Sequence, residues 1–200
     1  MPSLRNHKVL IDCFSSMNES HAGSKQMLMK MLQEADSHSI NDEMEIVSRT
    51  DMDFRVTDRS WVNPFILSVA PHMDAMCQQM MMGTWNISSA WFFEYHKGEY
   101  AQWHVHPNCM WTNVYYLDMP EGSPRTTVLS MPSGEEVEIC NVEEGMILSF
   151  PSTMIHCSRP NKSEKPKTVI AFNSDFDSPT IHTKFPVQDD ISRRNSVHQR

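Results

Sequence analysis

The hydrophobic period of the chain changes once along its length. Over residues 25–36 (KQMLMKMLQEAD), Met and Leu recur at helical spacing, which predicts a short amphipathic helix followed by a polar, loop-like stretch. A second helix is predicted beyond Asn63. Asn63 can cap it, Pro64 suits its first turn, and Ile66, Val69, Met73, Met76 and Met80 return every three or four positions. Pro71 lies inside that pattern, removes a backbone donor, and is expected to kink or split the helix. From Thr84 the period falls to that of a strand. Residues 89–95, 101–106, 112–118, 126–131, 136–142, 146–150 and 167–173 are β-branched or aromatic runs bounded by Gly, Pro, Asn and Ser. A further edge strand is predicted over Lys8–Phe14. Short strands at near-regular spacing after a helical start predict a mainly β protein, a sandwich or barrel with helices packed on one face. One domain is expected over 1–186, with a helical N-terminal part (1–84), a β core (85–176), and a polar tail (187–200) that frays.

Composition narrows the function classes. Forty per cent of the 200 residues are hydrophobic, enough to bury a real core. Seventeen Lys and Arg against 25 Asp and Glu give a net charge of −8, which argues against nucleic acid or an anionic membrane surface as partner. No apolar run approaches the roughly 18–20 residues of a membrane-spanning helix. The first residues include Asp12 and lack the apolar centre of a signal peptide, so none is expected. The five cysteines are scattered without a CxxC pair, which suits a reducing cytoplasm better than a disulfide framework. The 17 methionines are read as core filler, including the stripe on the second helix.

Ten histidines are a second excess, and three of them fall at informative places. His104 and His106 lie two apart in AQWHVHPN, so on a strand both rings project to one face. Pro107 and Asn108 then turn the chain. His156 follows the run EEGMILSFPSTMIH, which reads as turn, buried strand, turn. Two imidazoles at one strand end and a third from a distant strand can fix three positions around one ion and leave others open, as non-haem iron sites require. An isolated HxH is more often a pair of ordinary half-exposed histidines, so the surrounding sequence decides.

Residues 91–123 (WFFEYHKGEYAQWHVHPNCMWTNVYYLDMPEGS) resemble the pattern W…G-x-Y…WHxHP…YYL…PEGS of the 2-oxoglutarate/iron oxygenase family. Residues 144–173 (EGMILSFPSTMIHCSRPNKSEKPKTVIAFN) are similar to that family's G-x4-FPS-x3-H…PN-x-S…[RK]-x4-FN segment. RTDMDF at 49–54 is a weaker echo, and the order of the motifs also resembles the wider prolyl-hydroxylase-like superfamily. The resemblance implies a double-stranded β-helix, or jelly roll, with supporting N-terminal helices. It implies an Fe(II)- and 2-oxoglutarate-dependent dioxygenase, a hydroxylase consuming O2, whose substrate is a small molecule or peptide. His104 and His156 match the iron-binding histidines. His106 stands where the superfamily has Asp or Glu, though the closer family also has HxHP. The third ligand is read as His106, with Asp118 and Glu94 as the nearest acids in sequence. Lys167 matches the basic residue that holds the distal carboxylate of 2-oxoglutarate, and Tyr116 the tyrosine that shares it. Rival readings are a cupin-type dioxygenase or isomerase that does not use 2-oxoglutarate, a closed zinc site recruiting Cys109 and Cys157, and a non-catalytic metal-binding jelly roll.

Overall fold

A computed structural model of the protein describes residues 13–53, 59–131 and 133–177. Thirteen elements follow one another: β1 (Phe14–Met17), α1 (His21–Glu34), β2 (His38–Asn41), β3 (Glu45–Thr50), α2 (Val62–Gln79), β4 (Thr84–Tyr95), β5 (Tyr100–His104), β6 (Trp111–Asp118), β7 (Thr126–Leu129), β8 (Glu136–Glu138), β9 (Met146–Pro151), β10 (His156–Ser158) and β11 (Lys167–Asp177). The strands form one antiparallel sheet in the order β1-β9-β6-β11-β4-β3-β5-β10-β7-β8, with β2 added to β3. The sheet curls on itself: Lys167 of β11 donates a hydrogen bond to Ser158 of β10, four pairings away in that order. The result is the mainly β jelly roll expected from the sequence, backed by two helices among the described residues.

Strand alternation sorts the core into two layers. On β4, β6, β9 and β11, successive side chains point to opposite faces of the sheet. Phe92, Tyr115, Leu117, Ile147, Ile170 and Phe172 point outward and meet Leu28 and Leu32 of α1 and Phe65, Val69, Met73 and Met76 of α2. Trp91, Phe93, Tyr116, Leu148, Phe150, Val169 and Ala171 point inward, toward Val128 of β7. These strands are buried on both faces, so they read as continuous apolar runs. Each fully buried large side chain contributes about 1.5–3 kcal/mol relative to leaving it in water.

The elements differ from expectation where the sequence is least apolar. α1 starts four residues earlier than expected, at His21. α2 is capped at Trp61, which places Asn63 and Pro64 inside its first turn, where backbone N–H groups have no helical acceptor in any case. It runs unbroken through Pro71, which is exposed, so the carbonyl opposite its ring can tilt toward water. The N-terminal part is not purely helical. It also supplies β1, β2 and β3, and β3 bridges β4 to β5 and so joins the two walls of the roll. The expected strand over Lys8–Phe14 lies mostly outside the described residues, as does the tail 187–200. Gly145, at φ 86°, precedes β9 in a turn where an added Cβ would stand 2.9 Å from the His21 ring. No described helix is long and apolar enough to cross a membrane, and no disulfide forms among the described residues.

Candidate metal centre

Period-two geometry starts the site. β5 ends at His104, and His104 lies opposite His156 of β10 in the antiparallel register. Past the strand end, the His106 amide donates to the Ser152 carbonyl (3.0 Å), which holds the HVH segment against the β9–β10 turn. Asn108 then takes a left-handed φ of 63°, a conformation that Asn tolerates better than most residues, and reverses the chain toward β6. The three rings face one another, with centroids 5.2 Å apart for His104–His106, 4.2 Å for His104–His156 and 5.1 Å for His106–His156. One nitrogen from each lies within 4.8 Å of the others.

The hydrogen bonds settle which nitrogen that is. His104 Nδ1 donates to the Gln102 carbonyl (2.7 Å) and His156 Nδ1 to the Met154 carbonyl (2.9 Å). His106 Nδ1 is 2.7 Å from Asn173 Oδ1. Carbonyl oxygens only accept, so each Nδ1 carries the proton and each Nε2 keeps its lone pair. Trp91 stacks on His106 at 5.6 Å, and Phe150 meets His156 edge-on at 4.7 Å, fixing both rings by packing.

Electrostatics favour the same state. Burial lowers the pKa of all three imidazoles, to about 4 for His106 and about 3 for His156, and for these two repulsion from the neighbouring imidazoles adds to the effect. Three neutral imidazoles with their lone pairs turned inward form a donor set suited to a borderline divalent ion such as iron(II) or zinc. An acceptor on the far ring nitrogen is the usual companion of a metal-binding histidine, because it fixes the ring and its proton.

The acids proposed from sequence are elsewhere. Asp118 is bound to Lys25 (2.6 Å), and Glu94 to Arg49 (2.9 Å) and His96 (3.1 Å). Neither Cys109 nor Cys157 belongs to the cluster, and burial pushes both thiols up, away from the thiolate that a zinc knuckle needs.

The cluster opens into a cavity of about 670 Å³ between the two walls. Lys167 and Tyr116 both line it. Lys167 is 3% exposed, donates to the Pro124 carbonyl and Ser158 Oγ (3.1 Å each), and sits 5.3 Å from the centre of the Tyr95 ring. Among the described residues no carboxylate is bonded to it; burial lowers its pKa to about 8, with the Glu138 carboxylate acting weakly the other way. The Tyr116 hydroxyl is already engaged by Thr126, at 2.7 Å to Oγ1 and 3.2 Å from the amide, and burial pushes it up to about 12.

Among the cavity residues that the sequence reading does not name as site members are Asn173, Trp91 and Glu45. Asn173 had a signal, since 167, 169, 171 and 173 share one face of β11 and lead from Lys167 to His106. Glu45 sits in the polar stretch that reads as a loop.

A jelly roll with an inward three-histidine cluster is thus the class that fold and site define. No protein-family model matches the chain, and no curated protein does. Solved structures do. A Pseudomonas putida prolyl-4-hydroxylase aligns at 12% identity over 84% of this chain and 92% of its own, with a TM-score of 0.58. A 2OG-Fe(II) oxygenase family oxidoreductase from Burkholderia pseudomallei aligns at 10% identity over 83% of this chain and 86% of its own, with a TM-score of 0.66. SnoN, a non-haem α-ketoglutarate-dependent epimerase of nogalamycin biosynthesis, aligns at 11% identity over 85% of this chain and 82% of its own, with a TM-score of 0.63. At these identities the likeness establishes the fold.

Proposed function

We propose that the protein is a non-haem iron(II) and 2-oxoglutarate-dependent oxygenase that hydroxylates a small-molecule or peptide substrate. One observation carries this reading: three proton-fixed imidazoles aim their Nε2 lone pairs into the same cavity as a buried lysine that no carboxylate among the described residues contacts. His104, His106 and His156 would hold the ion, and Lys167 would receive the distal carboxylate of 2-oxoglutarate. Bound together there, iron(II) and 2-oxoglutarate supply the oxidising chemistry, in which dioxygen is reduced, the co-substrate is converted to succinate and carbon dioxide, and a substrate C–H bond is hydroxylated.

The protein's own residues then have definite tasks. Gln102, Asn173 and Met154 hold protons on the outer ring nitrogens, so that the inner ones stay basic. Three neutral ligands leave a divalent ion its full charge, whereas a carboxylate would cancel part of it, and that favours an anionic co-substrate. Lys167 gives a point charge in a low-dielectric pocket, where a charge-assisted hydrogen bond is strong. Tyr116, with its hydroxyl held by Thr126, shapes the same end, and with the Thr126 hydroxyl as donor its own O–H is free to donate to a carboxylate. Trp91, Phe93 and Phe150 exclude water. The oxygenase fold of the neighbours supports the class, and the cysteines, none of them in a disulfide, support a cytoplasmic location.

The test is an anaerobic titration of 2-oxoglutarate into the Fe(II)-loaded protein, followed by the metal-to-ligand absorption band, with succinate measured after air is admitted. A saturable band and succinate are expected. Bound iron without a band would remove 2-oxoglutarate from the account and leave a metal-dependent jelly roll of the cupin kind.

A further inference from the structure

The cavity wall is graded along β11. Lys167, Val169, Ala171 and Asn173 share its inward face, and cross-strand register sets Trp91 beside Ala171, and Ser89 and Thr112 beside Asn173. A cation thus stands at one end, apolar side chains fill the middle, and a neutral, hydrogen-bonding tier lies roughly 20 Å along the strand from Lys167. A β-bulge enlarges that last tier. One step on β11, from Asn173 to Ser174, spans two on β4, from Ser89 to Ile87, so Ser88 is the extra residue. Consecutive strand residues ordinarily face opposite ways, yet Ser88 and Ser89 both line the cavity. The packing records the same shift of phase: Ile87 and Ala90, three apart, both join the helix-covered layer.

Asn173 is the fixed point of this tier. Its side chain is 7% exposed, and Oδ1 accepts from His106 Nδ1 at 2.7 Å. One arm of the amide is spent on the ring, so the other presents Nδ2 with its two N–H groups. Nδ2 makes no hydrogen bond among the described residues, yet it is not sealed off, so it opens on the cavity that the side chain lines. The Ser89 hydroxyl is likewise unbonded among the described residues, and Ser88 Oγ has only a long contact, 3.5 Å, with the Asn173 carbonyl. The charged groups of the cavity, Lys167 and Glu45, stand at the other end, where both meet Tyr95. Asp175, the next residue on the Asn173 face of β11, does not line the cavity and accepts from the Met110 amide at 2.8 Å. A charged head at this tier therefore loses its hydration without gaining a counter-charge, whereas a neutral oxygen finds donors.

We propose that Asn173, with Ser88 and Ser89, selects the substrate: an uncharged ligand whose apolar body lies over Trp91 and Ala171 and whose neutral oxygen-acceptor head, such as an amide carbonyl, is bonded by Asn173 Nδ2. The inference deepens the oxygenase reading by naming the substrate class of that cavity, and it rests on that reading for the role of the opposite end. One amide then serves two partners. Its Oδ1 holds the ring of a metal ligand and its Nδ2 holds the substrate, which fixes the substrate relative to the metal. Asp cannot replace Asn here. Its carboxylate still accepts from His106 Nδ1, but both oxygens are acceptors and repel a carbonyl head.

The experiment uses three probes that share one apolar body and differ in the head: cyclohexanecarboxamide, cyclohexanecarboxylate and cyclohexylmethylammonium. Dissociation constants are measured by anaerobic calorimetry on the Fe(II)-loaded protein, with and without saturating 2-oxoglutarate, which keeps the carboxylate probe from the Lys167 end. The wild type should bind the amide about tenfold more tightly than either charged probe. Asn173→Asp should keep its iron, lose about tenfold in amide affinity and prefer the ammonium. Ser89→Ala, which leaves the His106 contact untouched, should lose about threefold in amide affinity. A charged probe bound more tightly than the amide by the wild type overturns the proposal, and so does iron-loaded Asn173→Asp with undiminished amide affinity. If Asn173→Asp binds no iron, Ser89→Ala decides, and unchanged amide affinity there overturns it. The same titrations separate the two readings. Amide preference without 2-oxoglutarate binding keeps the subsite and removes the oxygenase; 2-oxoglutarate binding without amide preference does the reverse.

Discussion

β4, β6, β9 and β11 bury both of their faces, and the two layers they separate are built to different ends. The outer layer, against α1 and α2, is filled: Phe65 alone packs against Trp61 (5.7 Å), Tyr115 (6.4 Å) and Phe172 (5.1 Å). The inner layer is equally apolar in its walls but leaves a cavity and holds polar groups inside it. Each layer contains buried histidine, which makes the contrast instructive. On the outer side, His72 of α2 is held at both nitrogens, Nδ1 by Ser16 Oγ (2.7 Å) and Nε2 by Ser149 Oγ (2.8 Å). On the inner side, among the described residues, each imidazole has only its Nδ1 bonded. Burial drives His72 down to about 4 and His156 to about 3, so the shifted pKa does not tell them apart. The spare nitrogen does. A buried histidine with both nitrogens bonded is structural, whereas three with one nitrogen to spare, facing one another, form a ligand set.

The largest expected effect is on the filled side. Phe65→Ala should cost about 3–5 kcal/mol of stability, because it removes an aromatic ring from a packed layer that cannot collapse around the gap. Urea denaturation measures it. The molecules that remain folded should still bind one metal ion each, since the site lies across the sheet.

On the open side, function should separate from stability. Lys167→Ala removes a charge-assisted hydrogen bond of about 1.5–3 kcal/mol, so 2-oxoglutarate affinity should fall roughly tenfold to a hundredfold. Lys167→Arg should keep much of it, and Tyr116→Phe should lose less than Lys167→Ala. The same lysine burdens the empty fold. Its pKa is about 8 in the folded protein, below the ordinary lysine value of 10.5, so the unfolded chain binds more protons between those values. Stability therefore rises with pH across that window, and the penalty is fully present below it. Lys167→Met should abolish that rise and leave the unliganded protein more stable than wild type at neutral pH. Equal pH slopes of melting temperature in the two proteins would show that the lysine is not buried in charged form.

Asn173→Ala should weaken metal binding by about tenfold without unfolding the protein, because it frees the His106 ring to turn. Asn173→Asp should restore the orientation and strengthen the ligand. The smallest effect is expected from the Cys109→Ser/Cys157→Ser pair, which should keep its metal and nearly all its stability. A collapse in melting temperature on changing these two thiols would revive the zinc-knuckle reading.

The parts legible in the sequence were those governed by period. His104 and His106 share a face because alternate strand residues do, and β4, β6, β9 and β11 show as apolar runs because both of their faces are buried. On β11 Lys167 came from the family resemblance, and Asn173 escaped notice although the same rule sets it on the face of Lys167. β2 and β3 were illegible for the opposite reason. In HSIN and EIVSRT only Ile40, Ile46 and Val47 are apolar, and the edge hairpin keeps polar side chains in water, so it reads as loop. That oversight hid Glu45. β10 is three residues long and has no period to detect, yet it carries His156. The chain fold that brings His156 opposite His104 is a long-range pairing, and local sequence contains no trace of it.

The central claim is that an inward spare nitrogen, not burial, makes the metal site, and Fe(II) stoichiometry tests it most directly. Anaerobic calorimetric titration of Fe(II) into wild type, His156→Ala and His72→Gln, each checked for folding by circular dichroism, sets the two kinds of buried histidine side by side. The account predicts one ion per chain in the wild type and in His72→Gln, and none held stoichiometrically in His156→Ala. Full iron binding by folded His156→Ala would contradict it.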